Sequence, residues 1–304
     1  MPWPTNHPVL IDPRLTPWAG GLDEVLPGAR VEQVLRYLPG RRVATLVEYE
    51  GELAVVKVFA SPRARGNARR LRAFAATRAA ALLPSLLGSD AAGHVLAVTY
   101  RPGTPLASLA DAQYQTSFSR VGAALRQLHD SGAELDRGWD WGQETAHLRR
   151  SAVPATLDLV ETLISSTGRL SDAPLSPAHR DCHPQQVVVA TDDTVTFIDL
   201  DDAAMAPTGL DVGNVLGHLV RERTIGARPV RSTDQAAAAF LDGYGACPNL
   251  DEAVLAGWTL LSVARLAGLA QSRYGDTAQR DALLASCRAG LDRVAGLTSC
   301  VSHL

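Results

Sequence analysis

The sequence of 304 residues predicts an α+β protein with two lobes, a small lobe built on an antiparallel sheet and a larger helical lobe. Three observations lead to this prediction. Residues 31–59 alternate β-rich runs with Gly and Pro, which is typical of an antiparallel meander. Most of residues 111–300 instead place apolar side chains at helical spacing. One short hairpin interrupts those helices, and ionisable side chains stand at both of its ends.

Three strands are expected in the meander. The runs VEQVLRYL and RRVATLVEY flank Pro39-Gly40, and a Glu50-Gly51 turn leads to ELAVVKVF. A further strand is predicted at 94–100, HVLAVTY, and the following RPGTPL ends it. We therefore expect an N-terminal lobe at 1–100 and a C-terminal lobe at 101–304, joined by a hinge near 99–104.

A helix is predicted between the third and fourth strands, where SPRARGNARRLRAFAATRAAALL is rich in helix formers and contains no acid. Its arginines form either a solvated face or a docking surface for an anionic substrate or partner. Further helices are predicted where apolar residues recur at helical spacing: Phe118, Val121, Leu125 and Leu128, and again Leu284, Cys287, Leu291 and Val294.

The composition limits the partners. A net charge of -3 gives no global reason to expect nucleic acid or an anionic membrane as a partner. The N-terminus lacks a basic start with an apolar core, so no signal peptide is expected. No apolar run is expected to approach the roughly 20 residues of a membrane span. Four scattered cysteines predict reduced thiols and a cytoplasmic protein. A monomer or a homodimer is expected.

The hairpin lies in the segment PAHRDCHPQQVVVATDDTVTFIDLDD, residues 177–202. Asp181 and Gln186 precede its first strand, and Asp199 follows its second. Because the loops at the open end of a hairpin lie close together, we expect three side-chain oxygens to converge. Carboxylate and amide oxygens, together with substrate phosphates, suit Mg²⁺. For Asp201 and Asp202, a solvated turn is as good an explanation as a role in this site.

Lys57 stands inside the apolar strand AVVKVF, either on an exposed face or aimed at a phosphate. A strand lysine, a Pro/Gly linker, His-x-Asp-x-x-x-x-Gln and then Ile-Asp follow the order of a protein-kinase-like catalytic core. Within that group the chain resembles the aminoglycoside phosphotransferase and choline kinase superfamily of small-molecule kinases. LAVTYRPGTPL looks like its hinge and VGAALRQLHDSG like its helix ending in Leu-His. The resemblance spans residues 31–220.

This resemblance implies a bilobal protein-kinase-like fold, a nucleotide-binding lobe at 1–100, and a catalytic and substrate-binding lobe at 101–304. Asp181 would orient the attacking hydroxyl or accept its proton. Asp199 and Gln186 would hold Mg²⁺, and Lys57 would hold the nucleotide phosphates. The resemblance further implies that backbone groups of Thr99, Tyr100 and Arg101 take the purine of ATP or GTP, that Gly40, Arg41 and Arg42 cover the phosphates, and that His129, His179 and Asp211 brace the catalytic loop.

Two departures from the family pattern stand out. Gln186 occupies a position where the family usually has Asn. More seriously, residues 60–89 contain no glutamate to pair with Lys57. The partner of Lys57 therefore stays open among Glu48, Glu50, Glu52 and Asp199, or it is the phosphate alone.

The expected activity is transfer of the γ-phosphate to a hydroxyl of a small molecule, an aminoglycoside or another antibiotic. A metabolic kinase of a sugar, choline or another amino alcohol is the alternative. A kinase-like module that binds nucleotide without catalysis is a third reading, favoured by the missing glutamate. Trp139, Asp140 and Trp141 combine aromatic faces with a carboxylate, which suits a cationic or sugar-like substrate. The simpler explanation is a buried Trp beside a surface acid.

Overall fold

The structure, a computed structural model, describes residues 3–168, 170 and 173–301, with side chains to residue 291. It divides into two compact units. The first comprises Met1–Gly103, Ala133–Asp136 and Thr196–Asp201. The second comprises Thr104–Gly132, Arg137–Val195 and Asp202–Leu304. Lys57 and Asp199 thus belong to the first unit, and Asp181 and Gln186 to the second.

A five-stranded antiparallel sheet forms the centre of the first unit, in the order β1-β2-β3-β5-β4. Its strands are β1 (Arg30–Leu38), β2 (Arg42–Tyr49), β3 (Glu52–Phe59), β4 (Leu86–Ser89) and β5 (Val95–Thr99). The predicted meander is confirmed. Glu50 and Gly51 have φ of 53° and 83°, the left-handed conformation that a two-residue hairpin turn demands at both positions. Strand β4 was not predicted.

Three helices accompany this sheet: α1 (Pro8–Ile11), α2 (Gly21–Val25) and α3 (Ala64–Ala75). The predicted helix at 61–83 is shorter than expected, because Thr77 caps a separate 3-10 turn at Arg78–Leu82. Alternate residues of β2 point inward, so that Val43 and Val47 pack with Trp3 and Leu22 in one apolar cluster. The N-terminal segment therefore covers a face of the sheet, a role that its sequence did not indicate.

Helices dominate the second unit: α4 (Asp111–His129), α5 (Trp141–Ser151), α6 (Pro154–Ser166), α7 (Thr208–Thr224), α8 (Val230–Tyr244), α9 (Glu252–Tyr274) and α10 (Thr277–Val301). This agrees with the predicted helical lobe. The periodic residues of α4 are buried, and so are Leu284 and Cys287 of α10. Leu291 is partly buried, and the side chain of Val294 lies outside the described residues. The apolar cluster of this unit gathers α9 with α5, α6, α7 and α10.

The remaining strands are short: β6 (Thr104–Pro105), β7 (Leu175–Ala178), β8 (Val187–Val189), β9 (Val195–Phe197) and β10 (Ala204–Pro207). β8 and β9 form the predicted hairpin, closed by a hydrogen bond from Ala190 N to Thr194 O at 2.9 Å. β7 precedes the hairpin in sequence and β10 follows it, and these two strands pair antiparallel. Asp181, Gln186 and Asp199 therefore lie on the segments that lead into and out of the hairpin.

Helix α9 is long and apolar enough to cross a membrane by length and composition alone. Its best 18-residue window has a mean hydropathy of 1.6, so the expectation that no apolar run approaches such a length is wrong. A single helix of this kind is weak evidence for a membrane span, because core helices can have the same length and composition. In α9, 61% of that window is buried, and Leu261, Ala264 and Ala267 belong to the core cluster.

Glycines on α7 allow α9 to approach closely. Gly209, Gly213 and Gly217 recur every four residues and so share one face of the helix. A Cβ added at Gly209 or Gly213 would lie 2.2 Å or 2.6 Å from atoms of Trp258, and one at Gly217 would lie 2.6 Å from Ser262. We call this line of contact the glycine seam.

Candidate active site

Lys57 is paired with two carboxylates of the segment that follows the hairpin. Its Nζ lies 2.6 Å from Oδ1 of Asp199 and 2.8 Å from Oδ1 of Asp201. Asp199 is among the partners that the sequence left open, whereas the sequence did not indicate Asp201. The side chain of Asp201 is only 6% exposed, so its interpretation as a solvated turn is wrong. That interpretation holds better for Asp202, which is 45% exposed.

A second cation joins this cluster from the neighbouring strand. Arg42 donates Nη2 to Oδ2 of Asp199 at 3.0 Å, and Nη1 to Asp201. Ala44 pairs with Lys57 across the sheet, and Arg42 precedes Ala44 by two residues. Because side chains two apart on a strand share a face, both cations project from the same side of the sheet. Two cations and two carboxylates therefore meet here.

Helix α3 holds Asp201 rather than Lys57. Asn67 Nδ2 donates to Oδ1 of Asp201 at 2.9 Å, and Arg70 Nη2 donates to its backbone oxygen at 2.9 Å. Arg70 is buried, so a purely solvated arginine face is wrong at this position, while Arg69 is 61% exposed and pairs with Asp136. The helix that lacks a glutamate thus contributes an amide and a guanidinium, and the carboxylate comes from Asp201.

The charges of this cluster stabilise one another. Burial alone would raise the pKa of Asp199, but Lys57 and Arg42 outweigh it and hold that pKa well below its usual range. Burial opposes the charge of Lys57, yet Asp201 and Asp199 together raise its pKa. Burial raises the pKa of Asp201, and the charge of Asp199 adds to this. At neutral pH the site therefore presents a charged lysine beside an ionised Asp199.

Asp199 also stands out in its backbone. Its φ is 64°, in the left-handed region that non-glycine residues seldom occupy. Arg180, one residue before Asp181, has a φ of 66°. Such conformations cost free energy, persist only where surrounding contacts hold them, and cluster at functional sites. Both candidate motifs therefore contain a backbone conformation that local propensity does not explain.

The predicted phosphate-covering residues already make internal contacts. Gly40 donates its N–H to Oδ2 of Asp12 at 2.6 Å, and Arg41 donates to Leu38 O at 3.0 Å. The Gly40 N–H is the main reason why the pKa of Asp12 is lowered. A phosphate would have to compete with Asp12 for Gly40. Of the three residues predicted here, only Arg42 reaches the charged cluster around Lys57.

Residues 99–101 are likewise engaged. Thr99 N donates to Ser85 O at 2.9 Å and Tyr100 N donates to Leu53 O at 3.1 Å. Arg101 sends Nη2 to Leu83 O at 2.5 Å. A purine at this segment would therefore use groups other than the N–H of Thr99 and Tyr100.

In the second unit, Asp211 of α7 holds the loop that carries Asp181. Its carboxylate accepts hydrogen bonds from the backbone N–H of His179 at 2.7 Å and of Arg180 at 2.6 Å. His129 Nε2 lies 3.1 Å from the same carboxylate. Burial would raise the pKa of Asp211, but His129 and the His179 N–H outweigh it and lower that pKa. The geometry agrees with the bracing role that the resemblance implied.

Asp181 itself is 39% exposed, and two basic groups lie near its carboxylate. His183 Nε2 is 3.8 Å from Oδ2, and Arg265 Nη1 is 3.9 Å from Oδ1. Gln186 is 6% exposed and ends the short 3-10 turn Pro184–Gln186. The structure thus brings Lys57 together with Asp199 in one unit, and Asp181 and Gln186 onto one loop in the other. The convergence of all three oxygen donors stays a prediction.

Comparison with known proteins identifies the family. The model of the phosphotransferase enzyme family matches residues 34–258, about three quarters of the chain. The chain belongs to the phosphotransferase enzyme family. This confirms the family and the phosphotransferase activity that the sequence motifs predicted. No curated protein has a matching sequence.

Solved structures of this phosphotransferase type share the fold at low identity. The choline kinase LicA from Streptococcus pneumoniae is 13% identical, with a TM-score of 0.65, covering 88% of this chain and 96% of the other. The amicoumacin kinase hAmiN, in complex with AMP-PNP, Ca²⁺ and Ami, is 15% identical, with a TM-score of 0.66 and coverages of 86% and 88%. An aminoglycoside phosphotransferase from Streptomyces rimosus is 18% identical, with a TM-score of 0.59 and coverages of 84% and 98%. The predicted kinase-like fold is confirmed.

The donor chemistry of this phosphotransferase fits a hard divalent cation. Asp199 offers a carboxylate that is ionised at neutral pH, and Gln186 offers an amide oxygen. Within the described part of the chain, no group of three or more His, Cys, Asp or Glu side chains could hold a metal ion. A cation at Asp199 would therefore need other oxygen ligands, such as nucleotide phosphates.

The three predicted acceptor-binding residues have structural contacts of their own. Trp139 is 8% exposed, and its Nε1 donates to Glu144 at 2.7 Å. The guanidinium carbon of Arg180 lies over the Trp139 ring, 3.4 Å from the ring centroid. Asp140 is the N-cap of α5, where it accepts the N–H of Gln143. Trp141 packs edge-on against Trp258. These contacts explain the three residues without an acceptor, and their role in substrate binding stays a prediction.

Proposed function

We propose that this phosphotransferase uses ATP or GTP with Mg²⁺ to phosphorylate a hydroxyl group of a small molecule. The observation that carries the proposal is the contact of Lys57 with Asp199 at 2.6 Å. These two residues are 142 positions apart in sequence, and the family resemblance assigns them to phosphate and metal binding. Polar residues so far apart meet at a buried point only when the fold brings them there.

The proposed reaction gives each of four residues a role. Lys57, with its raised pKa, stays charged and neutralises nucleotide phosphates. Asp199 and Gln186 would hold Mg²⁺, which would supply positive charge to neutralise the phosphates. Asp181, on the loop braced by Asp211, orients the acceptor hydroxyl and takes its proton. Because the transition state of phosphoryl transfer is loose, positioning contributes more than the basicity of Asp181.

The non-catalytic alternative was favoured by the missing helix glutamate. The contacts of Asp201 weaken that argument, because Lys57 has a buried carboxylate partner at 2.8 Å without it. We therefore propose an enzyme rather than a kinase-like binding module. As acceptors, the resemblance favours aminoglycosides or other antibiotics, with sugars, choline and other amino alcohols as alternatives. The names of the neighbouring structures include choline, amicoumacin and aminoglycoside kinases.

Two measurements test the proposal. Thermal shift with ATP and GTP, with and without Mg²⁺, should show metal-dependent stabilisation of the protein. A panel of hydroxyl acceptors should then include at least one that gains the mass of a phosphate. A nucleotide shift without transfer to any acceptor would favour the non-catalytic module, and absence of any nucleotide shift would contradict the proposal.

Replacement of Asp181 tests the assignment of roles. Asp181→Ala should leave the nucleotide shift intact and lower kcat by about 100-fold to 10,000-fold, the usual range for a general base. Asp158→Ala, which removes an exposed aspartate of α6, is the matched control and should retain full turnover. Normal kcat in Asp181→Ala would exclude Asp181 as the catalytic residue.

We also propose a cytoplasmic monomer or homodimer. Free thiols at Cys182, Cys247 and Cys287 support the reducing compartment, and the side chain of Cys300 lies outside the described residues. Cell fractionation and size-exclusion chromatography with light scattering test both parts.

A further inference from the structure

We propose that the second unit holds, beside Asp181, a subsite for an anionic group of the acceptor, a carboxylate or a phosphate, with Arg265 as its principal cation. The inference rests on the proposed function, since it concerns the acceptor of that reaction. Arg265 Nη1 and His183 Nε2 lie 3.9 Å and 3.8 Å from the Asp181 carboxylate. Both distances are too long for hydrogen bonds, so neither contact saturates the donor involved.

Arg265 is held in place from one side. It lies on α9, its side chain is 14% exposed, and its Nη2 donates to Oδ1 of Asn214 on α7. Asn214 is itself fixed, because it accepts from Ser262 Oγ at 3.0 Å and donates to Arg180 O at 3.1 Å. One edge of the guanidinium is thus anchored while another faces Asp181. A planar guanidinium that is already positioned is suited to bind a carboxylate or phosphate through two parallel hydrogen bonds.

Imidazoles extend this basic surface. The ring of His183 stacks on that of His218, with centroids 4.5 Å apart and planes 14° apart. Burial lowers the pKa of His218 well below its usual value, and His183, Arg265 and Arg221 lower it further. His218 is therefore neutral at physiological pH in a field of positive charge. A neutral imidazole can still donate a hydrogen bond to an anion.

Carboxylates that could bind a polycation near Asp181 have other partners. Glu144 accepts from Trp139, and Asp211 holds the catalytic loop. Three described acids of the C-terminal helices are used locally: Asp251 and Asp276 accept backbone N–H groups in the first turns of α9 and α10, and Asp281 pairs with Arg280. The charge around Asp181 therefore favours an anionic acceptor over the cationic aminoglycosides and amino alcohols that the family resemblance suggests.

A competing explanation is that Arg265 only positions Asp181. In that case its removal would lower kcat for every acceptor alike. A subsite instead predicts that the loss depends on the charge of the acceptor and falls on KM.

The test uses four acceptors that share a three-carbon scaffold with hydroxyl groups: glycerol, glycerate, glycerol phosphate and aminopropanediol. Steady-state kinetics with ATP and Mg²⁺ would be measured for the native protein, for Arg265→Ala, and for Arg273→Ala, an exposed arginine of the same helix. We expect one of the two anions to have a KM at least about tenfold below that of glycerol, which identifies carboxylate or phosphate. Arg265→Ala should raise that KM by about 10-fold to 100-fold, the loss of a charge-assisted pair, and Arg273→Ala should not.

Binding without transfer separates this inference from the proposed function. Thermal shift by glycerate and by glycerol phosphate, without nucleotide, should be present in the native protein and in Arg273→Ala, and absent in Arg265→Ala. That result without transfer to any acceptor would support the subsite and count against the kinase reaction. Transfer that prefers aminopropanediol, a KM unaffected by Arg265→Ala, or an anion shift that survives this variant would overturn the subsite and leave the kinase reaction standing.

Discussion

Lys57 and Arg42 face Asp199 and Asp201, so two basic side chains meet two carboxyl groups in one cluster. The members differ in exposure: the side chains of Arg42 and Asp199 are 19% and 16% exposed, and that of Asp201 only 6%. Removing one member of a buried ion pair is costly because it leaves its partner uncompensated. Water can therefore compensate the remaining charges least when Asp201 is the member that is removed.

Asp201→Asn should weaken nucleotide binding and turnover together. Asn cannot neutralise Lys57, so the lysine would pair with Asp199 alone and would compete with the proposed Mg²⁺ for that carboxylate. We expect kcat/KM for ATP to fall about tenfold to 100-fold, and unfolding to cost about 1–3 kcal/mol less, the usual penalty at a buried polar group. Steady-state kinetics and urea denaturation measure both.

The neighbouring residue provides the control for this substitution. Asp202 is 45% exposed and pairs with Arg137 at 3.5 Å, so Asp202→Asn should change stability by less than about 0.5 kcal/mol. Equal effects of the two substitutions would show that Asp201 has no special connection with Lys57.

At the scale of elements, the contact of α7 with α9 depends on residues that have no side chain. Gly209, Gly213 and Gly217 let the backbone of α9 come close at Trp258 and Ser262. α7 also carries Asp211, which holds the loop of Asp181, and Asn214, which holds Arg265. The glycine seam therefore sets the distance between the two helices that support the surroundings of Asp181.

Gly213→Ala should destabilise the protein by about 1–3 kcal/mol, the usual cost of overpacking a core. The added methyl group would meet the Cβ and the backbone carbon of Trp258 at 2.6 Å, and backbone atoms cannot rotate away. Urea denaturation measures the change. Gly20→Ala is the control, since nothing lies within 4 Å of its Cβ position, and it should shift stability by less than about 0.5 kcal/mol. Equal stability of Gly213→Ala and Gly20→Ala would contradict the close packing of the glycine seam.

At the scale of the whole molecule, each unit contains an aspartate whose pKa is lowered, Asp199 in the first and Asp211 in the second. A carboxylate with a folded pKa below its unfolded value near 3.9 stabilises the protein fully above that unfolded value. The contribution is lost as pH falls towards the folded pKa. Both units should therefore lose stability on the acid side, below about pH 4.

The acid dependence should become shallower in Asp211→Asn. Each such group contributes a slope of up to about 1.4 kcal/mol per pH unit between its unfolded and folded pKa. Denaturation of the native protein and the variant between pH 3 and 7 measures the difference. Asp234→Asn, at an exposed position of α8, should keep the native slope. An unchanged slope in Asp211→Asn would exclude Asp211 as a source of acid sensitivity.

Local sequence patterns predicted the strands and turns whose formation depends on residues close together in sequence. Strands β1, β2, β3 and β5, the turn at Glu50-Gly51 and the hairpin of β8 and β9 follow from β-rich runs and turn residues. The burial of Asp201 did not follow, because its partners Asn67 and Arg70 are more than 130 positions away and only tertiary contact joins them. The sequence did not indicate the apolar length of α9, because Arg265 interrupts the apolar run although its side chain is partly buried.

Trp258, Ser262 and Arg265 stand on successive turns of one helix. Whatever shifts the first two along the glycine seam also shifts the third with respect to Asp181. Laboratory evolution towards new acceptors should therefore enrich substitutions at 209, 213 and 217, although the glycines at these positions have no side chain that could contact a ligand. Gains in substrate range obtained in this way would come with a lower melting temperature.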